Sequence, residues 1–266
     1  MNNVLRHTIQ TVRDAGKATM GLYGKKIKVA FKEHDAIVTE ADNCSDDILH
    51  RGLARYGWPI LSEESIGDNA RFASEYVWII DPLDGTKSFV EGVDDFSVMV
   101  GLVRFGKPML GIVYQPAAEK LYYAVKDGGA FLETGGEKKK LAVSVVAKGN
   151  DIRMVASRNH FTDDVQAFVD ILHISVMTRV GSNGIKIGLI AEGGFDLFFN
   201  PTNRLGEWDI CAPQVILEES GGKVTGVKGE TLVYNKKVPT NPYGLLASNG
   251  LVHNEAIRTL RQLSKT

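Results

Sequence analysis

Val4, Leu5, Ile9, Val12, Ala15, Ala18 and Leu22 recur at helical spacing until Gly24, which predicts an amphipathic helix over residues 3–23. Ile27 to Phe31 alternates as a half-buried strand does, and Ile48, Leu49 and Leu53 mark a second helix after the polar cluster Asp42-Asn43-Cys44-Ser45. Val77-Trp78-Ile79-Ile80 is apolar throughout, the pattern of a strand covered on both faces. It ends abruptly in Asp81-Pro82-Leu83-Asp84-Gly85, so a buried strand delivers two carboxylates into a turn. From Phe96 to Val125, apolar runs alternate with Gly and Pro turns, which predicts an antiparallel meander. Lys138-Lys139-Lys140 reads as a solvated hairpin tip, and polar residues resume at Lys148-Gly149-Asn150-Asp151. That shift predicts two domains, residues 1–147 and residues 148–266.

The second half has a different rhythm. Strand-like Arg153 to Ser157 precedes a helical stretch from Asp163 to Leu172, then strand-like Ser175 to Val180, helix Ile185 to Glu192 and strand Leu197 to Phe199. Trp208-Asp209 opens a further helix running to Ser220, with Pro213 in its first turn and Gly221-Gly222 as its stop. The expectation is an α+β first half with an antiparallel sheet, packed on an α/β second half with a mixed sheet.

Composition narrows the function classes. The 266 residues are 44% hydrophobic, enough for a large core, and 31 basic against 32 acidic side chains leave a net charge of -1. A polymeric nucleic acid is therefore not an expected partner. No apolar run approaches the roughly 18 residues of a membrane span, and Met1-Asn2-Asn3 leads into mixed polar sequence, so a cytoplasmic chain with no membrane partner is expected. The only cysteines, Cys44 and Cys211, have no C-x-x-C partner and read as reduced packing residues.

Five acids fall at predicted element ends: Asp42, Glu63, Asp81, Asp84 and Asp209. Singly, each reads as a cap or turn residue. Asp81-Pro82-Leu83-Asp84-Gly85-Thr86 differs, because a wholly apolar strand brings two acids to a proline-stiffened turn. A few carboxylates completed by water and phosphate are what Mg2+ prefers, and the Gly85 and Thr86 amides could meet phosphate oxygens. No G-x-S-x-G and no G-x-G-x-x-G is present, which removes the serine-hydrolase elbow and the dinucleotide fingerprint.

Trp78 to Thr86, and Trp208 to Pro213 followed by Gly221-Gly222, resemble the two signatures of the inositol monophosphatase superfamily of magnesium-dependent, lithium-sensitive phosphatases. Asp35 to Asp42 and Leu61 to Ser65 resemble its two upstream motifs in order. Within the superfamily, the chain looks most like the 3'(2'),5'-bisphosphate nucleotidases, which convert adenosine 3',5'-bisphosphate to AMP. That likeness rests on Lys87 after Asp84-Gly85-Thr86, on Ser157-Arg158-Asn159-His160, and on Arg179 to Lys186.

The resemblance implies a layered αβαβα sugar-phosphatase-type fold. It implies that Glu63, Asp81, the Leu83 carbonyl, Asp84 and Asp209 hold two or three Mg2+ ions, and that Asp42 and Thr86 orient or deprotonate the attacking water. Gly85, Thr86, Ser157, His160, Ser182 and Lys186 would contact the substrate, although Ser182 stands where relatives often have glycine. A small phosphate ester, specifically a nucleotide bisphosphate, is the implied partner, with the protein a monomer or homodimer. Inositol monophosphatase or inositol-polyphosphate 1-phosphatase activity remains an alternative, as does, more remotely, a non-catalytic metal- or nucleotide-binding regulator. Taken alone, His160 reads as a surface or satisfied histidine and Lys186 as a solvated lysine at a helix start.

Overall fold

The computed structural model describes residues 1–31, 37–147, 151–203 and 205–263. It opens with α1 (Asn2–Leu22), the antiparallel pair β1 (Val29–Phe31) and β2 (Ile37–Thr39), and α2 (Glu40–Leu53). A seven-stranded sheet follows in chain order: β3 (Ile60–Ser62), β4 (Tyr76–Asp84), β5 (Ser97–Arg104), β6 (Lys107–Gln115), β7 (Lys120–Val125), β8 (Ala130–Thr134) and β9 (Glu137–Lys140). The short helix α3 (Thr86–Val90) joins β4 to β5. The antiparallel meander expected over residues 96–125 holds in β5 to β7 and extends to β4 on one side and to β8 and β9 on the other, while β3 joins β4 in parallel. The parallel pair arises because residues 63–75 form a crossover rather than a tight hairpin. Lys138, Lys139 and Lys140 lie within the exposed edge strand β9 rather than at the turn, an arrangement that blunts edge pairing.

The second half contributes β10 (Arg153–Ser157), α4 (Asp163–Ile171), β11 (Val176–Val180), α5 (Asn183–Ala191), β12 (Leu197–Asn200) and β13 (Leu205–Gly206). Then come α6 (Cys211–Glu219), β14 (Lys223–Thr225), β15 (Thr240–Asn241), β16 (Leu245–Ser248) and α7 (His253–Leu263). Its sheet runs β11-β10-β12-β16-β14, with β10 parallel to both neighbours and β16 antiparallel to both of its own.

Strand alternation sorts the apolar residues into layers. Trp78, Ile80, Val100 and Ile112 face α1 and α2 through Val12, Ala15, Leu49 and Leu53. Ile79, Met99, Val113 and Tyr122 face the opposite way, onto Ile187 and Ile190 of α5 and Val215 and Ile216 of α6. Those helices also cover Val155, Phe198 and Ala247 of the second sheet. The far face of that sheet, Met154, Leu197, Phe199 and Leu246, meets Phe168 of α4 and Ala256 and Leu260 of α7. The result is the five-layer αβαβα sandwich that the resemblance implied. Both halves share the middle apolar layer, and the expected boundary falls at residues 148–150, outside the described residues. Among the described residues, no helix is long and apolar enough to cross a membrane.

Candidate metal and substrate site

β4 carries its acids out of the core at the irregularity where it leaves register with β5: Asp81 pairs Met99, but Asp84 pairs Ser97, so the β4 side has one residue more. Pro82 brings no amide to this stretch, and the Leu83 amide turns back to Asp81 Oδ1 at 3.0 Å. Gly85 follows at φ +92°, where an added Cβ would stand 3.0 Å from the Asp95 carbonyl and 3.3 Å from Phe96 Cα. Glycine is therefore required for the chain to turn into α3.

Asp209, in the turn before α6, completes the group: one carboxylate oxygen each of Asp81, Asp84 and Asp209 lies within 4.8 Å of the other two. The helix expected from Trp208 begins only at Cys211, because Asp209 folds its carboxylate back onto the Gly206 amide at 2.6 Å. Glu63 stands just past β3 with its amide on the Ile80 carbonyl at 3.2 Å. It is outside the trio, but its charge acts on Asp81.

Burial and mutual repulsion dominate the electrostatics. Asp81 is held well above the ordinary carboxylate range by burial first, then by Glu63, Asp84 and Asp209. Burial also raises Asp84, against the opposing pull of Lys186 and of the Ser182 and Gly184 donors. Asp209 keeps some solvent contact, yet desolvation by the surrounding protein and then repulsion from Asp84 push it up to about 7. Clustered acids that resist ionisation, with oxygen donors only, fit a hard divalent cation, which would relieve the repulsion.

Asp42 and Thr86 do come together. Thr86 Oγ1 lies 3.0 Å from Asp42 Oδ1 and 3.0 Å from the Leu83 carbonyl, so its single proton serves one or the other. Asp42 Oδ2 accepts from the Thr39 amide at 2.7 Å and hydroxyl at 2.6 Å, as the residue, third in α2, that closes the capping box with Thr39. Asp42 is thus a helix cap and a partner of Thr86 at once. Burial raises its pKa, while the Thr39 and Thr86 donors pull it down. Asp35, in the resembling upstream motif, lies outside the described residues.

The residues assigned to substrate divide. Ser157 ends β10 with its hydroxyl accepting the His160 amide at 3.2 Å, and the His160 side chain reaches the surface. Crowding on one side, then the charges of Lys186 and Lys87, hold the imidazole below its ordinary value. Ser182 is turned wholly inward rather than toward a substrate: its hydroxyl donates to Asp84 Oδ2 at 2.5 Å and accepts the Ile185 amide at 3.0 Å as the N-cap of α5. Lys186 is likewise buried, not solvated, with Nζ on the Gly181 carbonyl at 3.0 Å. Burial lowers its pKa to about 8 against the pull of Asp84, Asp209 and Asp95. Sequence reasoning did not find Asn183 and Gly184. Asn183 Nδ2 holds Asp209 Oδ1 at 3.0 Å and the Gly184 amide holds Asp84 Oδ2 at 2.8 Å. Trp78 is a core residue, and Cys211 is buried as a reduced packing residue.

Known proteins place this geometry in context. A model of the inositol monophosphatase family matches residues 1–265. The chain is 31% identical over 239 residues to the 3'(2'),5'-bisphosphate nucleotidase CysQ of Haemophilus influenzae, covering 88% of each. It is 34% identical over 244 residues to the Salmonella typhimurium protein of the same name, covering 88% of this chain and 95% of that one. Among solved structures, an IMPase of Thermotoga maritima superposes with a TM-score of 0.85 at 27% identity, covering 100% of this chain and 99% of that one. CysQ of Bacteroides thetaiotaomicron superposes with a TM-score of 0.76 at 28% identity, covering 92% and 96%.

Proposed function

The chain belongs to the inositol monophosphatase family, and from that premise we propose that it is a magnesium-dependent 3'(2'),5'-bisphosphate nucleotidase that hydrolyses the 3'-phosphate of adenosine 3',5'-bisphosphate to leave AMP. The observation that carries the reading is the oxygen-only trio of Asp81, Asp84 and Asp209 in a chain 31% identical to a protein named for that activity.

Glu63, Asp81, the Leu83 carbonyl, Asp84 and Asp209 would hold two or three Mg2+ ions. When bound, these would neutralise phosphate oxygens, make water more acidic and stabilise the leaving alkoxide. Thr86 positions the nucleophile: with its proton given to Asp42 Oδ1, its oxygen is free to accept a hydrogen bond from the attacking water. Water then attacks phosphorus in line, and no phosphoenzyme forms. The Gly85 and Thr86 amides, at the start of α3, receive phosphate oxygens. Ser157 and His160 border the nucleoside. Lys186, buried with Nζ on the Gly181 carbonyl, would serve as a point charge for the second phosphate. Ser182 serves by holding Asp84.

Phosphate release from adenosine 3',5'-bisphosphate and from inositol 1-phosphate, each with Mg2+, with EDTA, and with Mg2+ plus Li+, tests the reading. Mg2+-dependent, Li+-inhibited preference for the bisphosphate is expected. Preference for the inositol ester would remove the nucleotide part and keep the metal site, and no release from either would leave a non-catalytic binding protein.

A further inference from the structure

Asp95 closes the turn between α3 and β5, and no step described above uses it. It is buried, and two segments distant in sequence meet on it. Arg158, just past β10, places both Nη2 (2.7 Å) and Nε (3.1 Å) on Asp95 Oδ2. The Gly181 amide, from the turn between β11 and α5, donates to the same oxygen at 2.8 Å. The Asp95 backbone carbonyl takes the next amide, Ser182, at 3.1 Å. That carbonyl is also the atom that crowds Gly85, so the catalytic turn leans on the residue that the other two loops grip. The loops are tied to each other as well, by the Arg158 amide on the Val180 carbonyl at 3.0 Å. Gly181 has no room for a side chain, since a Cβ would fall 2.1 Å from Ser88 Oγ and 2.9 Å from Asp95 Oδ1.

What these loops carry gives the contact its consequence. The first holds Ser157 and His160; the second holds Ser182, Asn183 and Gly184, which grip Asp84 and Asp209, and leads into Lys186. We propose that Asp95 is a positioning residue that sets the two substrate-facing loops against the catalytic turn, acting on the first through Arg158 and on the second through the Gly181 and Ser182 amides. This rests on the nucleotidase reading above. The pairing is concentrated on one oxygen, because Asp95 Oδ1 is buried with no hydrogen-bond partner among the described residues. Neither loop has a hydrogen bond on Oδ1 to replace an Oδ2 bond that is lost, so the loop is loosened and held at this junction by its backbone bonds alone.

The two contacts have different readouts. Arg158→Ala frees only the loop of Ser157 and His160, so KM for the bisphosphate should rise about tenfold with kcat kept within about twofold. Asp95→Asn weakens both contacts, so it should raise KM similarly and also lower kcat several-fold. In the double variant the KM effects should not add, because both act through one ion pair. Arg158→Lys keeps the charge and should give an intermediate KM, and it carries the test if the alanine variant fails to fold. Additive KM effects, or variants that lose thermal stability while KM and kcat stay unchanged, would overturn the proposal. The wild type is assayed first: no release from the bisphosphate fails the nucleotidase reading, and the proposal with it, whereas turnover with additive variant effects fails the proposal alone.

Discussion

The turn from Asp81 to Thr86 and the facing loops around Ser157 to His160 and Gly181 to Lys186 are built on opposite plans. In the turn, the chemical groups are contiguous in sequence and held by local backbone: a register irregularity, a proline and a glycine at φ +92°. In the loops, several side chains of suggestive identity point inward. Ser182 and Lys186 are buried and spend their polar atoms on Asp84, on an α5 amide and on loop carbonyls. The lesson is that one side of the site supplies the reacting acids while much of the other supplies the force that keeps them together. A polar residue beside a substrate site can serve it by holding a partner.

The largest expected effect falls on the acid side. Asp84→Asn should lower kcat by more than about a thousandfold, because it removes an anionic ligand from the donor set, and phosphate-release assays should detect it in a chain that still folds. Retained activity would take Asp84 out of the metal set. Thr86→Val should lower kcat by about a hundredfold with little change in KM, and Thr86→Ser should recover most of it, as expected of a proton relay to Asp42; equal losses in the two variants would remove the hydroxyl from the mechanism. On the facing side, Lys186→Met should raise KM for the bisphosphate about tenfold, and far more than for inositol 1-phosphate. Equal effects on the two substrates would mean that Lys186 acts only through Asp84 and Asp209.

Sequence was legible where local pattern and structural role coincide. The apolar run before Asp81 has the pattern of a covered strand and is one, and β10 begins and ends where its strand-like run does. Asp42, Glu63, Asp84 and Asp209 do lie at or near element ends, as expected, but periodicity placed α2 after Ser45 and the helix of Asp209 from Trp208, and it gave no strand before Glu63. The supports were hidden for a physical reason: Asn183 reaches Asp209 across 26 positions and Ser182 reaches Asp84 across 98, and no spacing rule encodes such contacts. Asp95 was obscured in the same way, reaching Arg158 across 63 positions. Past Gly222 the strands β14, β15 and β16 are only two to four residues long, too short for alternation to register, although they complete the second sheet and its flank.

The last prediction is on stability, and it follows from the same division. Asp209 ionises near pH 3.8 in an ordinary setting and at about 7 in the folded chain. Between those values the folded protein keeps a proton that the unfolded chain releases, so metal-free stability should fall as pH rises from about 4 to about 7, with Asp209 contributing at most ~1.4 kcal/mol per pH unit. Asp81, raised by burial and then by Glu63, Asp84 and Asp209, acts in the same direction. Saturating Mg2+ should oppose the decline, contributing ~2.7 kcal/mol at a hundred times its Kd and acting more strongly at pH 8 than at pH 5, because ion and protons compete for one set of oxygens. Urea midpoints at the two pH values, with EDTA and with Mg2+, measure this directly; a flat profile in EDTA would mean that the acids do not repel as their geometry requires. Variants connect the two sides. Asp84→Asn removes a repelling charge and should flatten the profile, whereas Lys186→Met removes the cation that draws Asp84 and Asp209 downward and should steepen it.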